Sequence, residues 1–271
     1  MRSLVAVCTC LLALTAVADA RTRGKRTTAT TKKHRAPTRE PQARAIQDTA
    51  KQRRQQQIVR EHAATRGPLT GQSIGMPWSG ILHEPSALPD GDGAGYIVRH
   101  PDRRFGTSST VMFIQRAIAE TKESFPETHV LAVGDISAEH GGRITQHNSH
   151  QSGRDVDIGL FYTEQPPDYP DSFVHASADN LDYAATFKLL MSFVETAHDD
   201  GGVQMIFLDY DVQGLLYNWA VDHGYSEDRL AKVFQFAHGR GSGEGVVRHW
   251  PNHDNHMHVR FKCGHADDSC E

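Results

Sequence analysis

The stretch HNSHQSGRDVDIGL, His147 to Leu160, decides how the chain folds. From Arg154 to Leu160 the apolar residues Val156, Ile158 and Leu160 alternate with Asp155, Asp157 and Gly159. A period of two predicts a half-buried strand, with both aspartates on one polar side. A second stretch, NHDNHMHVRFK at Asn252 to Lys262, repeats the pattern. Met257, Val259 and Phe261 take one face, and His256, His258 and Arg260 take the other. Two histidines three apart (His147 and His150), an aspartate beyond them and two histidines on a distant strand face read as one metal site built from two pieces of chain. Imidazole nitrogen and carboxylate oxygen are ligands that zinc takes readily, and a catalytic zinc keeps a position open.

Outward from this centre, Val111, Ile114, Ala117, Ile118 and Thr121 fall at helical spacing in Thr107 to Ser124, which Thr107 or Ser108 can cap. His129 to Val133 and Val203 to Leu208 read as strands. Asp179 to His198, Val212 to His223 and Ser226 to His238 read as helices, the last two ending at Gly224 and Gly239. The glycine-rich stretch His238 to Val246 reads as a mobile loop beside the site. Helices grouped between short, non-repeating strands predict an α+β fold, a small and mainly antiparallel sheet carrying the zinc site with helices on its flank.

The ends of the chain differ in kind. Met1 to Ala20 has the pattern of a secretory signal peptide: Arg2, an apolar run from Leu4 to Val17, and Ala18-Asp19-Ala20 as a cleavage site. Arg21 to Arg66 holds 14 Lys plus Arg against three acids, and reads as a disordered basic linker able to attract polyanions. From Gly67 onward 14 basic residues face 29 acids, so the net charge of −4 conceals a basic arm on an acidic domain. Residues 67–271 are of a size for one globular domain. No stretch past the leader is apolar enough for a transmembrane helix, and nothing points to a specific nucleic-acid partner. Cys263 and Cys270 are the only cysteines past the leader, and an exported protein with two usually pairs them.

At this point the chain resembles the penicillin-insensitive murein endopeptidases, zinc peptidases related to lysostaphin-type enzymes and D-Ala-D-Ala peptidases. The resemblance rests on SIG at Ser73 to Gly75, LPDGDGAGY at Leu88 to Tyr96, RFGT at Arg104 to Thr107 and GDIS at Gly134 to Ser137. It continues through HNSHQSGRDVDI and HDNHMHVRFKC. Phe161 to Gly245 matches poorly. The resemblance implies a periplasmic zinc enzyme cutting peptidoglycan cross-links, including D-alanyl–meso-diaminopimelate bonds. It implies zinc ligation by His150, Asp157 and His258, with His147 a further ligand or a partner of one. His256 and His253 would sit beside the metal's water, and Cys263 would pair with Cys270.

The residues themselves allow the same roles. His256 shares a strand face with His258 and suits a general base or a stabiliser of the developing oxyanion. Asp155 is placed to hydrogen-bond a ligand imidazole. The clustered Arg99, Arg103 and Arg104 suit either a substrate carboxylate or ion pairs with the many acids. His100 and the other scattered histidines read as surface or hydrogen-bonding residues. A D-Ala-D-Ala carboxypeptidase with the same centre, or a wall-binding module keeping zinc structurally, are the alternatives. The carboxypeptidase would want a carboxylate base near the second histidine stretch, where only Asp254 is on offer.

Overall fold

A computed structural model describes residues 71–271 apart from Asp92, Ala266 and Asp268. The expected leader at 1–20 and basic linker at 21–66 lie outside the described residues.

The centre is a six-stranded mixed sheet. Its strands are β4 (Tyr96–Val98), β6 (Leu131–Val133), β7 (Asp155–Gly159), β10 (His256–Phe261), β8 (Val203–Phe207) and β9 (Val247–Arg248), in that order across the sheet. The inner pairings β6–β7, β7–β10 and β10–β8 are antiparallel, and the outer β4–β6 and β8–β9 are parallel. Four short strands lie apart from it. The hairpin β1 (Gln72–Met76) and β2 (Ser79–His83) pairs antiparallel, as do β3 (Ser86–Ala87) and β5 (Phe105–Gly106). With four α-helices among the described residues this is the expected α+β class.

The two strands read from sequence are neighbours, and their register sets the site. His258 stands opposite Asp157, Arg260 opposite Asp155, and His256 opposite Gly159. Residues directly opposed in an antiparallel pair project to the same face. Asp155, Asp157, His256, His258 and Arg260 therefore crowd one side of the sheet. Val156, Ile158, Met257, Val259 and Phe261, all buried, take the other.

That apolar face packs on helix α1 (Ser108–Ser124) and helix α2 (Tyr183–Glu195), where Phe261 stacks on Phe113 at 6.1 Å and meets Phe193 edge-on at 6.2 Å. Truncating such a buried ring to alanine typically costs about 3–5 kcal/mol. The Thr107 side chain caps α1 by accepting from the Thr110 amide, and Asp182 caps α2 through Ala185. The predicted helix over 179–198 is thus shorter, its last turn tightening into 3-10 geometry at Thr196–His198. Helices α3 (Tyr210–Asp222) and α4 (Glu227–Val233) complete the fold. Gly224 follows α3 with φ of 85°, the left-handed turn that ends a helix. The helix expected over Ser226–His238 instead stops at Val233, because Phe234 is extended; Gln235–His238 is a separate 3-10 turn, and Gly239 follows that turn.

One expectation needs correction. Strand β7 is not half-buried: all five of its residues are buried, Asp155 and Asp157 included. The alternation correctly separates two faces, but the polar face is itself covered by histidines and Arg260.

Cys263 and Cys270 form a disulfide. The segment they close is held to β1: Gly75 donates to the Ser269 carbonyl and Glu271 donates back to that of Gly75. Buried Arg154 spans the junction, donating to Ser73 Oγ and to the carbonyls of Phe261 and Glu271.

Candidate metal centre

Asp157 is the middle of the cluster. Its Oδ1 lies 3.2 Å from His258 Nδ1, 3.3 Å from His150 Nε2 and 3.6 Å from His256 Nε2, and its Oδ2 lies 3.7 Å from His147 Nδ1. Yet Asp157 Oδ1, His150 Nε2 and His258 Nε2 are buried without a hydrogen bond among the described residues. Unsatisfied buried polar atoms cost about 1–3 kcal/mol each. Nitrogen lone pairs converging on one carboxylate are what a cation would reconcile. His147, His150 and Asp157 alone place three ligand atoms within 4.8 Å of one another. His258 belongs with them, since its Nδ1 is nearer to Asp157 than either of the other two imidazoles. The donor set fits a borderline metal such as zinc.

Each imidazole is aimed from behind. His150 Nδ1 lies 3.0 Å from the Ile136 carbonyl, to which it can only donate, leaving the Nε2 lone pair toward Asp157. His150 holds a left-handed backbone at φ 64°, costly for a residue with a side chain, and its amide is fixed by donating to Asp155 Oδ2 at 3.1 Å. His147 Nε2 lies 2.8 Å from Asp135 Oδ2. His258 Nε2 faces Asp155 Oδ1 at 3.3 Å, a charge contact without hydrogen-bond alignment, while Arg260 grips Asp155 with two bonds of 2.7 and 2.9 Å.

The loop from β6 to β7 supplies the first half of the site, and it approaches closely. A Cβ on Gly134 would stand 2.9 Å from the Phe173 ring and 3.1 Å from Asp157 Cβ. Next to it, buried Asp135 binds His147, Arg103 at 2.8 Å and His100 at 2.6 Å. Sequence reasoning missed Asp135; His100, read as a surface or hydrogen-bonding residue, is a hydrogen-bonding one. The only signal was the GDIS motif, which marks Asp135 but not its partners.

The electrostatics follow from burial set against charge. Burial opposes ionisation of Asp135, but hydrogen bonds from His147, Arg103 and His100 outweigh it and hold the carboxyl well below the usual range. Asp155 and Asp157 are lowered against burial in the same way, chiefly by His258 and His150 respectively. Burial also opposes charge on His258, yet Asp155 and Asp157 raise it to about 9 in the metal-free protein. For His256 burial wins over the pull of Asp157, and its pKa falls to about 4. His253 is likewise lowered by burial.

His256 also stacks on Phe173, at 4.9 Å and 11° between planes. His253 stands one ring further out, 4.8 Å from His256, its Nδ1 donating to the Pro251 carbonyl. The cluster thus brings together His147, His150, Asp157, His256 and His258, with His253 at its margin. Asp254 is turned away and pairs with His175 at 2.7 Å. The glycine-rich stretch before β9 does not reach the cluster; Trp250, Pro251 and Asn252, past β9, wall the cleft there instead.

The cluster opens into a cleft of about 620 Å³. Trp78 and Trp250 stand on its rim, more than half exposed, and Phe207, Phe173, Arg99 and Arg260 form its walls. The site is open to solvent and has a buried polar floor.

A model of the penicillin-insensitive murein endopeptidase family matches residues 73–214, which include His147, His150 and Asp157 and stop before β10. Among curated proteins, the penicillin-insensitive murein endopeptidases of Escherichia coli strain K12 and of Shigella boydii serotype 18 are similar to this chain. Each is 30% identical over 213 residues, covering 75% of this chain and 71% of its own.

Proposed function

From the premise that the chain belongs to the penicillin-insensitive murein endopeptidase family, and is a peptidase of peptidoglycan, we propose the finer reading that it is a zinc metalloendopeptidase. Its substrates would be cross-links of the D-alanyl–meso-diaminopimelate type. The observation that carries this is the convergence of His150 Nε2, His258 Nδ1 and His147 Nδ1 on Asp157, with Asp157 Oδ1 and His150 Nε2 left without a hydrogen bond among the described residues.

His150, Asp157 and His258 would hold the metal, with His147 as a further ligand steered by Asp135. Bound there, zinc supplies a Lewis acid for the amide carbonyl and makes a water acidic enough to react near neutral pH. The remaining roles belong to side chains. His256 is a neutral imidazole braced by Phe173, with Nε2 turned to the cluster. It accepts the proton of the attacking water as the carbon–oxygen bond forms, then returns a proton to the leaving amine as the carbon–nitrogen bond breaks. His253, beside it, donates from Nδ1 to the Pro251 carbonyl, so its Nε2 lone pair can accept a hydrogen bond or a proton at the margin of the cluster. Asp254, engaged by His175, is not available as the carboxylate base a D-Ala-D-Ala carboxypeptidase would want.

For the whole chain the reading is a signal peptide at 1–20, a basic linker at 21–66 and a catalytic domain at 67–271, acting in the periplasm. The linker's 14 basic residues would draw it to anionic surfaces of the envelope. Among the described residues no helix is long and apolar enough to cross a membrane.

The test is mass spectrometry of sacculi after incubation with the zinc-loaded protein. Cross-linked muropeptide dimers should become monomers, and chelation should stop it. Loss of terminal D-Ala alone would replace the reading with a carboxypeptidase. An unchanged profile would leave only wall binding.

A further inference from the structure

Three arginines follow β4, and two of them are spoken for. Arg103 is paired with Asp135 at 2.8 Å and Arg104 with Asp90 at 2.5 Å. Arg99 has no carboxylate within ion-pair reach among the described residues. Its Nε and Nη2 both donate to one backbone oxygen, that of Asp171, at 3.1 and 2.8 Å. The guanidinium lies 4.4 Å over the ring of Phe173, whose other neighbour in the stack is His256. All three line the cleft.

We propose that Arg99 is the subsite for a free carboxylate of the stem peptide, and so a determinant of which cross-links are cut. This rests on the peptidoglycan reading above. The half-buried guanidinium is fixed in position by the Asp171 carbonyl and the Phe173 face, while Nη1 has no partner among the described residues. A fixed, planar cation with donors left over is matched to a carboxylate, which accepts two parallel N–H bonds. The pairing of its two neighbours with Asp135 and Asp90 shows that acids were within reach of this loop, and the cleft-facing arginine is the one left without. Diaminopimelate that has given its side-chain amine to a cross-link keeps a carboxylate on the same carbon. The acceptor stem keeps a second one at its D-alanyl end. Either offers the required chemistry.

The experiment is steady-state kinetics of the zinc-loaded protein on defined cross-linked muropeptide dimers. One dimer has all carboxylates free, one is amidated at the diaminopimelate carboxyl, and one is amidated at the terminal D-Ala carboxyl of the acceptor stem. Wild type, Arg99→Ala and Arg99→Lys are compared. Arg99→Ala should raise KM on the free dimer roughly 10- to 100-fold, the range for a lost hydrogen bond to a charged group. Arg99→Lys should recover part of that by restoring the charge without the fork. On the dimer missing the recognised carboxylate, wild type and Arg99→Ala should converge, and which dimer shows this identifies the carboxylate. Equal loss on all three dimers would show that Arg99 only props Phe173 and His256, and would overturn the proposal. So would an unchanged KM on the free dimer. A wild type that cleaves none of the dimers would instead overturn the endopeptidase reading, and this inference with it.

Discussion

His258 Nδ1 lies 3.2 Å from Asp157 Oδ1 across the β7–β10 pair, at positions directly opposed in register, while His256, two residues earlier on the same face, keeps its Nε2 0.4 Å further off, at 3.6 Å. Only His258 also has a carboxylate behind it, Asp155 at 3.3 Å. The pair should therefore divide into ligand and proton carrier. His258→Ala should lose zinc and activity together. His256→Ala should keep near-normal zinc and lose about 10²- to 10⁴-fold in turnover, the usual worth of a positioned acid or base. Metal analysis beside muropeptide cleavage decides it. A metal-free His256→Ala with a zinc-loaded His258→Ala would reverse the assignments.

Asp135 should matter to the metal without touching it. It holds His147 at 2.8 Å and is itself held by Arg103 and His100. Removing a carboxylate that orients a ligand imidazole typically costs 10–100-fold in metal affinity or activity. Asp135→Asn should weaken zinc binding by roughly that factor in chelator competition, with the far-ultraviolet spectrum unchanged. Unaltered affinity would mean that His147 is no ligand.

The two halves of the cluster were legible in the sequence because each is local. A strand's period of two puts Asp155 with Asp157, and His256 with His258 and Arg260, wherever the strands go. The register joining them was not legible: nothing in either stretch says that His258 faces Asp157 and not Asp155. Nor were Asp135, His100 and Phe173, which reach the site from separate loops. Phe173 lies in the poorly matching middle, with 82 residues between it and its stacking partner His256. Burial of β7 on both faces escaped the pattern because its covering groups are charged. An alternation of Val and Asp looks the same whether the aspartates meet water or a layer of histidines.

Proton and metal should compete at His258. Its pKa is raised to about 9 in the metal-free protein by Asp155 and Asp157, against an ordinary value of 6.5. A raised folded-state value means that this group's stabilisation is complete below about pH 6.5 and drains away as pH rises toward 9. The chelated protein should accordingly lose stability across that window in urea titrations. The zinc-loaded protein, with His258 neutral and the metal in the proton's place, should lose much less. Parallel curves for the two forms would show that His258 carries no such proton.

The last prediction concerns what keeps β10 in place behind its histidines. The Cys263–Cys270 bridge closes a short loop, with a sequence separation of 7, just past the ligand strand. A loop so short constrains the unfolded chain little, and its removal should cost about 2 kcal/mol on the loop-entropy model. Arg154 should count for more. Its buried guanidinium is the donor for Ser73 Oγ and for the carbonyls of Phe261 and Glu271, so one side chain joins β1, the end of β10 and the segment after the bridge. Arg154→Met keeps much of the volume but strands three acceptors, each costing about 1–3 kcal/mol if left dry. Denaturant unfolding of the oxidised Arg154→Met protein and of the Cys263→Ser/Cys270→Ser double variant should rank the arginine as the costlier loss. Zinc occupancy in the double variant should stay near that of wild type, because the bridge touches none of the ligands. A double variant that unfolds more readily than Arg154→Met, or that loses its metal while still folded, would place the disulfide and not the arginine at the root of the ligand strand's stability.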